Sequence, residues 1–191
     1  MGDFGDYQMI YIIAGMYRTG TSSLMHACLT ASETLVGYYS LQAEQIIRSK
    51  EVDETHDPNP NGYYPSNFPL RPFSEWLPLV PENGLTKATV ANLLTTESMP
   101  PCKMIVTRRN TQEMILSWEK SFGTPFPEKQ ISEYEVGLAL AASDPNVEIT
   151  TVSFDDLVST PETVFTNLTA AGWPIDPEIA AATIDPDLKR F

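Results

Sequence analysis

A short apolar run that ends on a glycine and opens into a hydroxyl-rich helix start constrains this chain more than any other feature. Met9 to Ala14 carries no charge, and Gly15-Met16-Tyr17-Arg18-Thr19-Gly20-Thr21-Ser22-Ser23-Leu24 follows it. Continuous apolarity over so short a span predicts a parallel strand buried on both faces. The two glycines lie five apart, the spacing of the phosphate-binding pattern G-x-x-x-x-G-K-[ST] that joins such a strand to a helix. Thr21 stands at the lysine position, however, and the nearby cation, Arg18, sits inside the loop. The loop is therefore suited to phosphate-like oxygens, but not in the manner of an ATP-hydrolysing site. Its backbone N–H groups and the positive end of the next helix form an anion nest. Thr21, Ser22 and Ser23 add hydroxyl donors, for which the plainer role is simple helix capping.

Charge makes the few cations informative. The 191 residues carry a formal charge of −13 with only 12 Lys and Arg. Such a surface repels nucleic acid and anionic membrane, so neither is expected as a partner. Three of the cations, Arg18, Arg108 and Arg109, fall beside predicted strand ends, where they concentrate positive potential. The length suits one domain over residues 1–191 with a core of its own. No apolar stretch reaches the length of a membrane span, and the N-terminus lacks the pattern of a secretory signal. Asp6 stands where a myristoylation signal requires Ser or Thr. Cys28 and Cys102 form no disulfide pattern and read as buried thiols, which predicts a reducing, cytoplasmic location.

Strand and helix signals alternate along the chain. Residues from Ser22 to Thr30 read as a helix with Leu24, Cys28 and Leu29 inward, Leu35 to Tyr39 as a short strand, and Leu41 to Lys50 as a helix. Residues 53–84 are rich in Pro, Asn and Gly and poor in periodicity, with a short helix from Phe73 to Leu79. That composition predicts a lid or acceptor-binding loop, its aromatics Tyr63, Tyr64, Phe68, Phe73 and Trp76 shaping an apolar pocket or filling the core. Leu85 to Val90 reads as a strand edge and Lys103 to Thr107 as a buried strand. Asn110 and Glu113 cap a helix that ends at Gly123. Ser132 opens a helix to Ser143, Val147 to Ser153 is the last strand, and Pro161 starts a helix that ends near Gly172. The alternation predicts an α/β architecture, a parallel sheet covered by helices on both faces, with ligands beyond the carboxyl ends of the strands.

A second constellation lies at that end. Val106-Thr107-Arg108-Arg109-Asn110 delivers two arginines to the sheet edge, and Ser117 lies eight residues past Arg109. Close to two helical turns separate Asn110 from Ser117, so Ser117 returns to the face on which the helix began. Arg109 and Ser117 can therefore grip one phosphate from two sides.

Taken together, these residues resemble the cytosolic-type and small bacterial sulfotransferases, which use 3′-phosphoadenosine 5′-phosphosulfate. Tyr17-Arg18-Thr19-Gly20-Thr21-Ser22 is similar to the family's P-[RK]-[ST]-G-T-[TS] loop, which grips the 5′-phosphosulfate. Arg109 and Ser117 match its Arg, eight residues, Ser element, which holds the 3′-phosphate. Asn59-Pro60-Asn61-Gly62-Tyr63-Tyr64 looks like the family's N-P-x-G-[FY]-[FY]. Ser153-Phe154-Asp155-Asp156-Leu157 with Thr160-Pro161-Glu162 looks like Y-E-D-L…D-P-E. Ile184 to Arg190 looks like the P-x-L-[KR]-R ending, which implies Lys189 and Arg190 as cofactor-binding residues. The resemblance implies a three-layer sandwich of the P-loop type. It also implies transfer of a sulfuryl group to a hydroxyl or amine of a small-molecule or glycan acceptor, with no metal required.

The family's usual general base is missing. Its members place a His two residues after a Lys at the end of a middle strand, or a Glu after the first helix; here Lys87 is followed by Ala88 and Thr89, and Gly37 by Tyr38 and Tyr39. Arg18, His56 and Asp57 are the catalytic candidates, Arg18 for the charge on the leaving oxygen and the other two for the base, with Glu54 and Glu44 also near the predicted lid, and His26 reads as structural. Pro65 replaces the acid that often ends the N-P-x-G motif. Two other functions stay open: a P-loop small-molecule kinase, which Thr21 in place of lysine opposes, and a nucleotide-binding module without catalysis.

Overall fold

The computed structural model describes residues 9–39, 73–94, 99–185 and 187. Five parallel strands form one sheet: β1 (Ile10–Gly15), β2 (Val36–Tyr38), β3 (Gly84–Ala88), β4 (Cys102–Arg108) and β5 (Val147–Ser153). Their order is β2-β3-β1-β4-β5, and every pairing is parallel. Among the described residues the helices are α1 (Thr21–Thr30), α2 (Phe73–Trp76), α3 (Val90–Leu94), α4 (Thr111–Phe122), α5 (Lys129–Ser143), α6 (Phe154–Ser159), α7 (Pro161–Ala170) and α8 (Pro177–Ala182). A 3-10 turn, Leu77–Leu79, continues α2.

Because successive side chains on a strand point to opposite faces, β1 feeds two separate cores. Tyr11 and Ile13 join Leu24, Met25 and Cys28 of α1, Phe165 and Leu168 of α7, and Ala180 of α8. Ile10, Ile12 and Ala14 join Leu93 of α3, Met114 of α4 and Tyr134 of α5 on the opposite face. Gly137 lets α5 lie close on α3, since a Cβ there would stand 2.7 Å from the Leu93 Cβ. The result is a helix–sheet–helix sandwich, as the alternating pattern predicts.

Strand order indicates where a sheet of this kind opens a crevice. The chain leaves β1 toward β2 by way of α1 on one face. It leaves β4 toward β5 by way of α4 and α5 on the other. The carboxyl ends of β1 and β4, which lie side by side with Gly15 opposite Thr107, therefore face an opening between diverging connections. Crevices of this kind are the usual ligand sites of open α/β sheets.

Several expectations need correction. Leu85 lies not at the sheet edge but on an interior strand between β2 and β1. Helix α5 begins at Lys129, and Ser132 lies inside it, its hydroxyl turned back onto the Lys129 carbonyl. Of the two roles open to Trp76, filling the core is the one seen: it is 1% exposed and packs beside Tyr38. Leu29 is only partly buried against the core on the α1 face. The helix expected over 41–50 and the predicted lid up to residue 72, with Glu44, Glu54, His56, Asp57, Tyr63, Tyr64, Pro65 and Phe68, lie outside the described residues, as do Lys189 and Arg190. No described helix is long and apolar enough to cross a membrane.

Phe165 is fully buried against the α1 face of the sheet. Phe165→Ala is expected to cost about 3–5 kcal/mol of stability, read as a lowered midpoint in urea unfolding with unchanged slope.

Candidate functional site

The loop from Gly15 to Gly20 is held in a costly shape. Arg18 has a φ of 65° and Gly20 a φ of 83°. Glycine adopts that left-handed backbone freely. For arginine it costs on the order of 1–3 kcal/mol, and such strain persists only where the surroundings impose it.

Here the surroundings do so from three directions. The Thr19 hydroxyl donates to the Met16 carbonyl at 2.7 Å and lies 2.7 Å from the Thr107 hydroxyl on β4. Arg109 Nη1 donates to the Arg18 carbonyl at 3.0 Å. Arg18 Nε donates to Ser117 Oγ at 3.0 Å. Gly15 is required by this bracing, because a Cβ there would lie 2.1 Å from Thr107 Oγ1 and 2.6 Å from Thr19 Oγ1. Thr19 is 2% exposed, so its side chain shapes the loop from within rather than facing a ligand.

The start of α1 lacks any negative complement of its own. Gly20 occupies the N-cap without a side-chain bond, and no acid stands in the first turn. A helix N-terminus carries roughly half a positive charge, and here cations gather around it. Burial first, and then the charge of Arg109, lower the pKa of Arg18, although a guanidinium stays protonated. Lys87, at the end of β3, donates from Nζ to Ser22 Oγ at 2.6 Å.

The two arginines at the end of β4 part company. Arg108 turns outward to pair with Glu135 on α5 and to lie 5.7 Å over the Tyr134 ring. Arg109 turns inward until its side chain is 3% exposed. Asn110 makes this turn possible by capping α4, its side chain accepting from the Gln112 and Glu113 N–H groups. Glu113 reaches Arg109 Nε at 3.4 Å instead of completing the capping box. The guanidinium lies 4.3 Å over the ring of Phe154, which also abuts Gly20.

One buried donor of this cluster is left over. Arg109 Nη2 is buried and has no hydrogen-bond partner. An unpaired buried donor on a charged group costs more than ~1–3 kcal/mol, and an anion in the crevice would repay that cost. Ser117, fully buried, accepts from Arg18, and its own hydroxyl hydrogen can point elsewhere. Arg18, Ser117 and Arg109 thus form one connected cluster with the loop. Thr21 and Ser22 stand in the first turn of α1 at the same opening.

Lys87 and Phe154 are the site residues that sequence reasoning missed. Lys87 figured only as a lysine without its histidine. Its place became visible only once β3 was set beside β1. No group of three or more His, Cys, Asp or Glu able to hold a metal ion occurs among the described residues.

The fold has counterparts among solved structures. The sulfotransferase domain from the curacin biosynthetic pathway aligns with a TM-score of 0.53 at 15% identity, covering 95% of this chain and 86% of that one. An unliganded sugar kinase from Janibacter sp. aligns with a TM-score of 0.44 at 12% identity, covering 93% of this chain and 99% of that one. That second alignment is too loose to establish a common fold. No protein-family model and no curated protein matches the sequence.

The hydroxyl of Thr107 ties two loop-bearing strand ends together. Thr107→Val is expected to lower stability by about 1–3 kcal/mol, measured by thermal or urea unfolding, because it removes a buried partner of Thr19 and keeps the volume.

Proposed function

We propose that this protein is a sulfotransferase that takes 3′-phosphoadenosine 5′-phosphosulfate as donor and a hydroxyl or amine of a small molecule or glycan as acceptor. One observation carries the reading: Arg109 is bonded to the loop carbonyl through one nitrogen while another is buried without a partner. The loop and the arginine are thereby tied together, which supports a single seat for the two ends of a doubly phosphorylated adenosine. The shared fold with a sulfotransferase domain supports the same reading.

The residues present fit such a donor. Arg109 and Ser117 would hold the 3′-phosphate. The loop N–H groups, Thr21, Ser22 and Arg18 would hold the 5′ end, with Thr19 contributing backbone only. Lys189 and Arg190 are proposed to complete the nucleotide site. When bound, the donor supplies an activated sulfur: the acceptor oxygen or nitrogen bonds to it, and the sulfur–oxygen bond to the 5′-phosphate breaks with its electron pair on the phosphate oxygen. Arg18 and the start of α1 are aimed at that oxygen before the charge develops, and such preorganised stabilisation is usually the largest catalytic contribution. His56 and Asp57 are proposed to take the acceptor's proton, which requires hydrogen-bond reach of the acceptor.

The test is binding of 3′,5′-adenosine bisphosphate without metal, set against ATP with magnesium. The bisphosphate is expected to bind and ATP to bind much more weakly. The reverse order would install the kinase reading. Arg109→Ala should weaken bisphosphate binding by about 1.5–3 kcal/mol, whereas Arg18→Ala should chiefly slow transfer of labelled sulfate.

A further inference from the structure

Phe154 is a buried aromatic that lies outside both cores. It is 3% exposed, yet it joins neither of the clusters built on the two faces of the sheet. Val152 and Leu157, close to it in sequence, both belong to the core on the α1 face. Its own contacts lie at the site instead. Arg108 stands opposite Ser153 in the last pair of the β4–β5 ladder, so Arg109 and Phe154 leave the sheet side by side. Ser153 caps α6 by accepting from the Asp156 N–H at 3.4 Å, which makes Phe154 the first residue of that helix. The ring then touches both anion-binding elements. The Arg109 guanidinium carbon is 4.3 Å from its centroid, and a Cβ on Gly20 would stand 2.8 Å from its Cδ2.

The guanidinium needs such a surface. It is held through two nitrogens, Nη1 on the Arg18 carbonyl at 3.0 Å and Nε on Glu113 at 3.4 Å. Two contacts leave a planar group free to pivot about the line between them, and a third contact on its face stops the pivot. Without that third contact the pivot is favoured, because Arg18 and Arg109 repel each other and water solvates a cation better than a buried site does. An aromatic face carries negative partial charge and attracts a cation most strongly where water is excluded. The Arg109 side chain, 3% exposed, is in that situation.

We infer that Phe154 is a positioning residue of the donor site, whose ring sets the plane of the Arg109 guanidinium and so keeps Nη2 ready for a phosphate oxygen. The inference rests on the reading of Arg109 as the group that holds the 3′-phosphate. It goes beyond that reading by naming a side chain that acts through the arginine. It also gives the Ser153-Phe154-Asp155-Asp156-Leu157 stretch a function, since strand end, cap and ring together bring an aromatic face to the cation.

Two measurements test it. The first needs no ligand: exchange of the Arg109 Nε–H with water, followed by nitrogen-resolved NMR, with the resonance identified by its loss in Arg109→Ala. Slow exchange is expected in the wild type and in Phe154→Tyr. Fast exchange is expected in Phe154→Leu and Phe154→Met, which fill similar space without a ring. Equal protection in all of them overturns the inference. The second is binding of 3′,5′-adenosine bisphosphate around a double-mutant cycle. Phe154→Leu is expected to weaken binding by about tenfold and Phe154→Tyr to retain it. In an Arg109→Ala background, Phe154→Leu should weaken binding no further. Full additivity, or Phe154→Tyr behaving as Phe154→Leu does, overturns the inference and leaves the donor reading intact. Failure of the wild type to bind the bisphosphate refutes the donor reading instead, and the exchange measurement then decides the role of Phe154 by itself.

Discussion

The contact from Arg109 to the Arg18 carbonyl is the interaction on which the rest of the site depends. It joins the end of β4 to the turn after β1 across 91 positions of sequence, and it fixes a backbone conformation that arginine rarely takes. The remaining braces act in concert with it. The Thr19 and Thr107 hydroxyls hold the floor of the loop, and Ser117 holds the Arg18 side chain. Removing Arg109 would therefore disturb a ligand's cation and the shape of its cradle together.

Electrostatics then explains why so strained an arrangement is kept. The protein is acidic as a whole, yet at one crevice two guanidiniums, a lysine and a helix N-terminus converge. Arg18 and Arg109 repel each other, and Arg109 leaves a buried nitrogen unpaired. Each of these costs is removed by one kind of occupant, an anion with oxygens to spare. On the proposed reading, stability is given up where binding is gained, the pattern expected of a functional site.

Much of this was legible in the chain because the signals were local. The apolar runs of β1 and β4, the glycine spacing of the loop, and the Asn110 cap each sit within a few residues. The signals that failed were of two kinds. Some elements were too short for periodicity: α6 spans six residues, although Ser153 does cap it by accepting from the Asp156 N–H, and α8 is announced only by the Asp176 cap and Pro177. Other features depend on which strands become neighbours. The run from Leu85 to Val90 read as a strand edge, whereas the sheet buries Thr86 in its interior and turns Lys87 toward α1. The two roles of Arg108 and Arg109 were likewise indistinguishable until α5 supplied Glu135 for one and the loop supplied a carbonyl for the other.

A crystal structure with 3′,5′-adenosine bisphosphate bound tests the central claim most directly. The account predicts the 3′-phosphate within hydrogen-bonding distance of Arg109 Nη2 and Ser117 Oγ, with the 5′-phosphate on the N–H groups of the loop after β1. A bisphosphate seated elsewhere, with Arg109 Nη2 still unpaired, would contradict it.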